Sequence, residues 1–280
     1  MSQTEKSDRV RRIVVALSVA GAVVAALFGS GLLGGTPMPE AAGGAFAADA
    51  TVLAPAGVAF AIWSVIYLGL VGYALWQLVP AQAAKPLHRS VGYGVAASAL
   101  LNAVWIMCVQ AWRIAESFVI IVILLGVLLV TFVRVCRRRR RGTIAEIVLV
   151  DGTIGLYLGW VTVAAAANLA AWLAAVGMDE WTKAPGTPGV ITLIVTGLIA
   201  AFTAWRGGRL APAAATAWGL VWIAVGRWAE NPAAPVVAST AVVLAVAVLA
   251  ITAWRFRARV RRAGAEGGPV AAHSDEQRLG

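Results

Sequence analysis

Apolar residues occur in runs of about 18 to 25, separated by short polar segments. A run of this length crosses a hydrocarbon core of roughly 30 Å as an α-helix, which rises about 1.5 Å per residue. Helices also satisfy their own backbone hydrogen bonds in lipid. The pattern predicts an all-α polytopic transmembrane helix bundle with about eight spans, near residues 13–34, 53–79, 91–112, 117–135, 147–174, 189–205, 210–228 and 235–256.

The basic residues are distributed unevenly among the gaps between these runs. They concentrate before the first run, in every second gap and after the last run, and the densest cluster is Arg137 to Arg141. Cytoplasmic loops of membrane proteins are rich in arginine and lysine. We therefore predict a multi-pass protein of the cell membrane with a cytoplasmic N-terminus at residues 1–12. The basic tail at residues 257–280 is predicted to be cytoplasmic and disordered.

Composition supports membrane insertion and argues against other classes. The chain is 60% apolar and 13% charged, against roughly 25% charged in soluble proteins. The net charge of +10 is explained by cytoplasmic loops that face anionic lipid headgroups, so nucleic acid is not expected as a partner. Cys108 falls towards the outer end of span three and Cys136 at the inner end of span four, too far apart for a disulfide. No histidine or cysteine spacing indicates a metal site.

Polar residues in the middle of the spans indicate where a functional site could lie, because a buried amide in lipid needs a hydrogen-bond partner. At 100° per residue, Asn102 and Asn168 share helix faces with aromatic side chains. Tryptophans near span ends are expected to anchor the chain at the interface, but three others lie too deep for that role. The converging faces predict a ligand pocket between spans two, three and five, formed by Phe60, Trp63, Tyr67, Asn102, Trp105, Tyr157, Trp160, Ala164 and Asn168.

At these positions the chain resembles the tryptophan-rich sensory protein family, also called the translocator protein family. The resemblance covers residues 12 to 176. Span two has Pro55, Ile62-Trp63 and Tyr67, and span three has Leu101-Asn102-x-x-Trp105. The most specific block is in span five, where six identities keep one spacing: Tyr157-Leu158-x-Trp160-Val161, then Ala164 and Asn168. Span two departs from the family pattern at Ala54, Gly57 and Ala61, and Leu156 replaces a proline in span five.

The resemblance implies a five-helix membrane protein that binds porphyrins, sterols or aromatic molecules in a pocket capped by the loop between helices one and two. Residues 13–176 would form this translocator-like core, and residues 177–256 a three-helix membrane extension without a counterpart in the five-helix family. A porphyrin or heme is then expected as a ligand and not as a resident cofactor. No catalytic or metal-binding residue is expected, and the protein is predicted not to be an enzyme.

Other interpretations remain open at this point. A membrane transporter of a small hydrophobic substrate is the alternative function, although the halves show no convincing inverted repeat. An enzyme acting on lipid or porphyrin is disfavoured, because Asp151 would have to act alone. Gly155 and Gly159 favour close packing within the chain over a homodimer. Arg227 and Glu230, three residues apart, are expected to form an exposed ion pair of little energetic value.

The predicted orientation can be tested by cysteine labelling in whole cells. A cysteine placed between Thr36 and Ala50 should react with a membrane-impermeant reagent added outside the cell. A cysteine placed between Arg137 and Arg141 should react only after lysis. The reverse pattern of labelling would contradict the topology.

Overall fold

The computed structural model describes residues 2–137, 142–178, 186–229 and 232–266. Within these residues, eight helices are long and apolar enough to cross a membrane. They are α1 (Gln3–Gly29), α2 (Gly57–Trp76), α3 (Pro86–Gln110), α4 (Ile114–Cys136), α5 (Ile144–Ala175), α6 (Thr187–Gly207), α7 (Leu210–Ala229) and α8 (Pro235–Glu266). The predicted polytopic all-α bundle with eight spans is confirmed.

Two helices extend beyond the apolar runs that predicted them. Helix α1 begins at Gln3, where Ser2 and Glu5 form a reciprocal capping box. Helix α8 continues to Glu266, so the prediction of a disordered tail is wrong for residues 257–266. Hydropathy marks only the part of a helix that lies in hydrocarbon, whereas alanine and arginine also favour helix outside it. Residues 267–280 lie outside the described residues.

Neighbouring helices pack in a continuous series. Helix α3 lies between α1 and α4, and α4 packs in turn on α5. Helix α5 also packs on α7, and α7 packs on α8. Helix α6 packs mainly on α8. A large apolar cluster is built mainly by α1 to α5. A second cluster joins α5 to α6, α7 and α8. Because α5 contributes to both clusters, the last three helices continue the bundle and are not a separate unit.

Helices α5 and α7 approach closely where α5 carries glycine. A Cβ atom added at Gly155 would lie 2.8 Å from the Cβ of Ala211, and one added at Gly159 would lie 2.9 Å from the Cβ of Ala215. The carbonyl oxygen of Pro212 also faces Gly159. The prediction that these glycines allow packing within the chain is confirmed.

Ion pairs tie the helices together at the end of the bundle that carries the N-terminus. Asp8 on α1 accepts hydrogen bonds from Arg11 at 2.9 Å and from Arg89 of α3 at 2.5 Å. Asp151 lies in a π-helical turn at Ile147–Gly152 of α5 and pairs with Arg209, the residue just before α7. Asp151 is therefore half of an interhelical ion pair.

Gly159→Ala should lower the thermal unfolding temperature of the purified protein. The new methyl group would overlap the backbone of α7, and overpacking of this kind costs about 1–3 kcal/mol. Gly126→Ala in α4 is the matched control, since a Cβ there meets no atom of the described residues within 4 Å. Equal unfolding temperatures for the two variants would contradict the close approach.

Candidate ligand-binding site

Three tryptophans from three helices meet around one cavity. Trp63 of α2 has its ring centroid 6.4 Å from that of Trp105 of α3, and 6.2 Å from that of Trp160 of α5. The Trp63 and Trp105 rings are inclined by only 26° to each other. Phe60, at the start of α2, meets Trp160 edge to face at 5.8 Å. The structure therefore brings together the aromatic side chains that helical periodicity placed on separate faces.

The two asparagines have different hydrogen-bonding roles. The indole N–H of Trp105 donates to Asn168 Oδ1 at 2.9 Å, and Asn168 Nδ2 donates to the carbonyl of Ala164 at 2.8 Å. Both ends of the Asn168 amide are thus used in holding Trp105. Asn102 instead donates through Nδ2 to the hydroxyl of Tyr67.

Two buried polar atoms at this site have no hydrogen-bond partner among the described residues. They are the indole nitrogen Nε1 of Trp160 and the amide oxygen Oδ1 of Asn102. Trp160 is 1% exposed and Asn102 is fully buried. Buried polar groups are bonded in the large majority of cases, and an unsatisfied one costs about 1–3 kcal/mol. Of these two residues, Trp160 lines the cavity and thus has an unused hydrogen-bond donor, whereas Asn102 is not among the lining residues.

The residues predicted for the site fall into two groups, those that line the cavity and those that do not. Six of them line it: Phe60, Trp63, Trp105, Trp160, Ala164 and Asn168. Tyr67, Asn102 and Tyr157 are not among its lining residues. Tyr67 and Tyr157 contact the ring of Trp63, and the hydroxyl of Tyr157 donates to the carbonyl of Ser98 at 3.0 Å. Their observed contacts support the wall of the cavity.

The loop between α1 and α2 closes the cavity. Its lining includes Ala45, Phe46, Thr51, Ala54 and Pro55 from this loop, together with Val163 and Ala167 of α5. Phe46 is buried, with its ring edge on Trp105 at a centroid distance of 6.1 Å. Sequence reasoning missed these loop residues, although Phe46 is the only aromatic residue between positions 35 and 52.

The closed cavity is small. Its volume is about 30 Å³, whereas pockets for drug-sized molecules occupy roughly 300–1,000 Å³. A porphyrin or sterol does not fit this volume, so binding requires the loop or the aromatic side chains to move.

Helix α7 supports both this loop and the start of α2. The backbone N–H of Ala56 donates to the carbonyl of Trp222 at 3.1 Å, and Trp218 Nε1 donates to the carbonyl of Ala59 at 2.9 Å. Arg227 is fully buried and donates to loop carbonyls. The prediction of an exposed Arg227 is wrong, because the loop folds over its guanidinium group. Glu230 lies outside the described residues.

The fold and site define a polytopic helical membrane protein with a loop-covered aromatic cavity. A family model described as TSPO-like protein matches residues 13–254, and the chain belongs to this family. This match confirms the resemblance and also extends through α6, α7 and α8, beyond residue 176 where the resemblance ended. No curated protein and no solved structure matched the chain.

Trp105→Phe and Trp160→Phe form a matched pair for stability. Each removes an indole N–H from a buried ring, but only the first breaks a hydrogen bond and leaves Asn168 Oδ1 unpaired. Trp105→Phe should lower the free energy of unfolding by about 1–3 kcal/mol more than Trp160→Phe does. Denaturant or thermal unfolding in detergent measures both. A larger loss in Trp160→Phe would contradict the assignment of bonded and unbonded indoles.

Proposed function

We propose that the protein binds a flat hydrophobic ligand, such as a tetrapyrrole, a sterol-like molecule or another aromatic compound, between α2, α3 and α5. The observation that carries this proposal is the convergence of Trp63, Trp105 and Trp160 on one cavity, with the Trp160 indole N–H unpaired. Aromatic faces contribute about 0.5–1.5 kcal/mol per stacked pair beyond area burial. The free N–H favours a ligand with a hydrogen-bond acceptor at its edge.

The proposed role is binding and not catalysis. The residues that line the cavity, all of them in the described part of the chain, include no carboxylate, histidine, cysteine, lysine or arginine. General acid–base catalysis and activation of a nucleophile both need a titratable group within reach of the substrate. A binding site without such a group is suited to sensing or carrying its ligand unchanged.

The proposed location is the cell membrane, with both termini in the cytoplasm. The arginine-rich gaps support this orientation. The loop between α1 and α2 then lies on the outer side, and the cavity beneath it lies in the outer half of the membrane. Ligand would reach the site from outside the cell or from the outer leaflet.

Protoporphyrin is the first probe for the site. Titration of the purified protein should quench tryptophan fluorescence, and Trp105→Leu should weaken the affinity about tenfold or more because a stacking face and contact area are lost. Trp254→Leu is the control, because Trp254 is an exposed residue of α8 (55%) and does not line the cavity. Equal losses of protoporphyrin affinity in the two variants would contradict an aromatic site at the cavity.

Measurements on the protein reconstituted in vesicles distinguish binding from transport. Binding without net movement of protoporphyrin is the expected result. Movement against a concentration gradient would instead establish the transporter alternative, and chemical conversion of the porphyrin would establish an enzyme.

A further inference from the structure

Arg227, at the end of α7, joins three backbone segments. Its Nη1 atom donates to the carbonyls of Thr51 at 2.8 Å and Pro232 at 3.2 Å, and its Nη2 atom donates to the carbonyl of Ala48 at 2.5 Å. The side chain is fully buried. A planar guanidinium group presents donors in several fixed directions, which allows it to hold separate segments at once.

The loop that Arg227 contacts has two parts with different support. Residues 51–56, the anchored segment, pack firmly: Val52 and Leu53 are buried in the apolar cluster shared with α7 and α8. Ala56 is bonded to the backbone of α7. Residues 45–50, the lid, carry Phe46 over Trp105.

The lid has weaker support of its own. Its described backbone hydrogen bonds all stay within the loop: Ala45 N donates to the carbonyl of Ala42, Ala47 N to that of Gly44, and Ala50 N to that of Ala47. The bond from Arg227 to Ala48 is different, since it ties the lid to a spanning helix. One guanidinium group thus bridges the lid, the anchored segment and α7.

We propose that Arg227 is a positioning residue that holds the lid closed over the aromatic cavity and thereby limits the rate of access to it. When the bond to Ala48 breaks, the lid can swing away on the anchored segment and withdraw Phe46 from Trp105. The cavity can then enlarge enough for a ligand. The identity of the ligand rests on the proposed function, but control of access does not.

Access can be measured without any ligand. In a background with Cys108→Ala and Cys136→Ala, Ala164→Cys places a single thiol on the cavity wall. A charged, membrane-impermeant methanethiosulfonate reagent should modify this thiol slowly while the lid is closed. Adding Arg227→Met keeps the length of the side chain but removes its hydrogen bonds. Modification should then accelerate about tenfold or more, the effect of losing one hydrogen bond to a charged group.

Three further variants make the result decisive. Arg227→Lys retains the charge but cannot span all three carbonyls, so its modification rate should be intermediate. Phe46→Ala removes the ring that covers the cavity and should also accelerate modification. Arg255→Met is the matched control, because Arg255 donates to the carbonyl of Trp205 at 2.9 Å between α6 and α8, away from the lid. Its modification rate should equal that of the parent.

An unchanged rate of thiol modification in a folded Arg227→Met protein would overturn the proposal. An equal increase of that rate in Arg255→Met would also overturn it. If Arg227→Met does not fold, Arg227→Lys decides: faster modification supports the clamp and an unchanged rate overturns it. With protoporphyrin as probe, Arg227→Met should speed both association and dissociation by more than it changes the affinity. If the parent protein does not bind protoporphyrin but the modification rates follow this pattern, the clamp stands and the proposed function fails.

Discussion

The close approach of α5 and α7 is the contact on which the other features depend. Gly155 and Gly159 place no side chain of α5 between these helices, so the small residues Ala211 and Ala215 and the carbonyl of Pro212 of α7 lie directly against the α5 backbone. This contact places the other end of α7 beside the loop that covers the cavity. Helix α5 meanwhile presents Trp160 and Asn168 to α2 and α3. The aromatic cavity and the surface that closes it are thus joined through one helix pair.

The polar groups of the aromatic cluster differ in whether they have hydrogen-bond partners. Asn168 uses both ends of its amide to orient Trp105. The indole N–H of Trp160 and the amide oxygen of Asn102 are left without partners among the described residues. At the cavity itself, the fixed indole of Trp105 provides a rigid face and the unpaired N–H of Trp160 provides a polar group. The proposal of a flat apolar ligand with a polar edge rests on that combination.

The last three helices include α7, which contacts the loop that covers the cavity. Residues 13–254 match the family model as one region, which includes α6 to α8. In the structure, α7 supplies Arg227, Trp218 and the carbonyl of Trp222 to the loop and the start of α2. A division at residue 176 would separate the cavity from its support. Helix α7 therefore supports the loop that covers the cavity, and α6 and α8 pack against α7 and against each other.

The sequence by itself determined the eight spans and the aromatic faces of α2, α3 and α5, because hydropathy and helical periodicity depend only on residues close together in the chain. It also identified all three tryptophans that meet at the cavity. Only the tertiary structure decided that Arg227 is buried, that Phe46 covers Trp105, and that Tyr67, Asn102 and Tyr157 stand behind the cavity wall. It likewise decided which indole N–H has a partner. Each of these outcomes depends on which distant segment packs against a helix face, and periodicity within one helix carries no information about its neighbour.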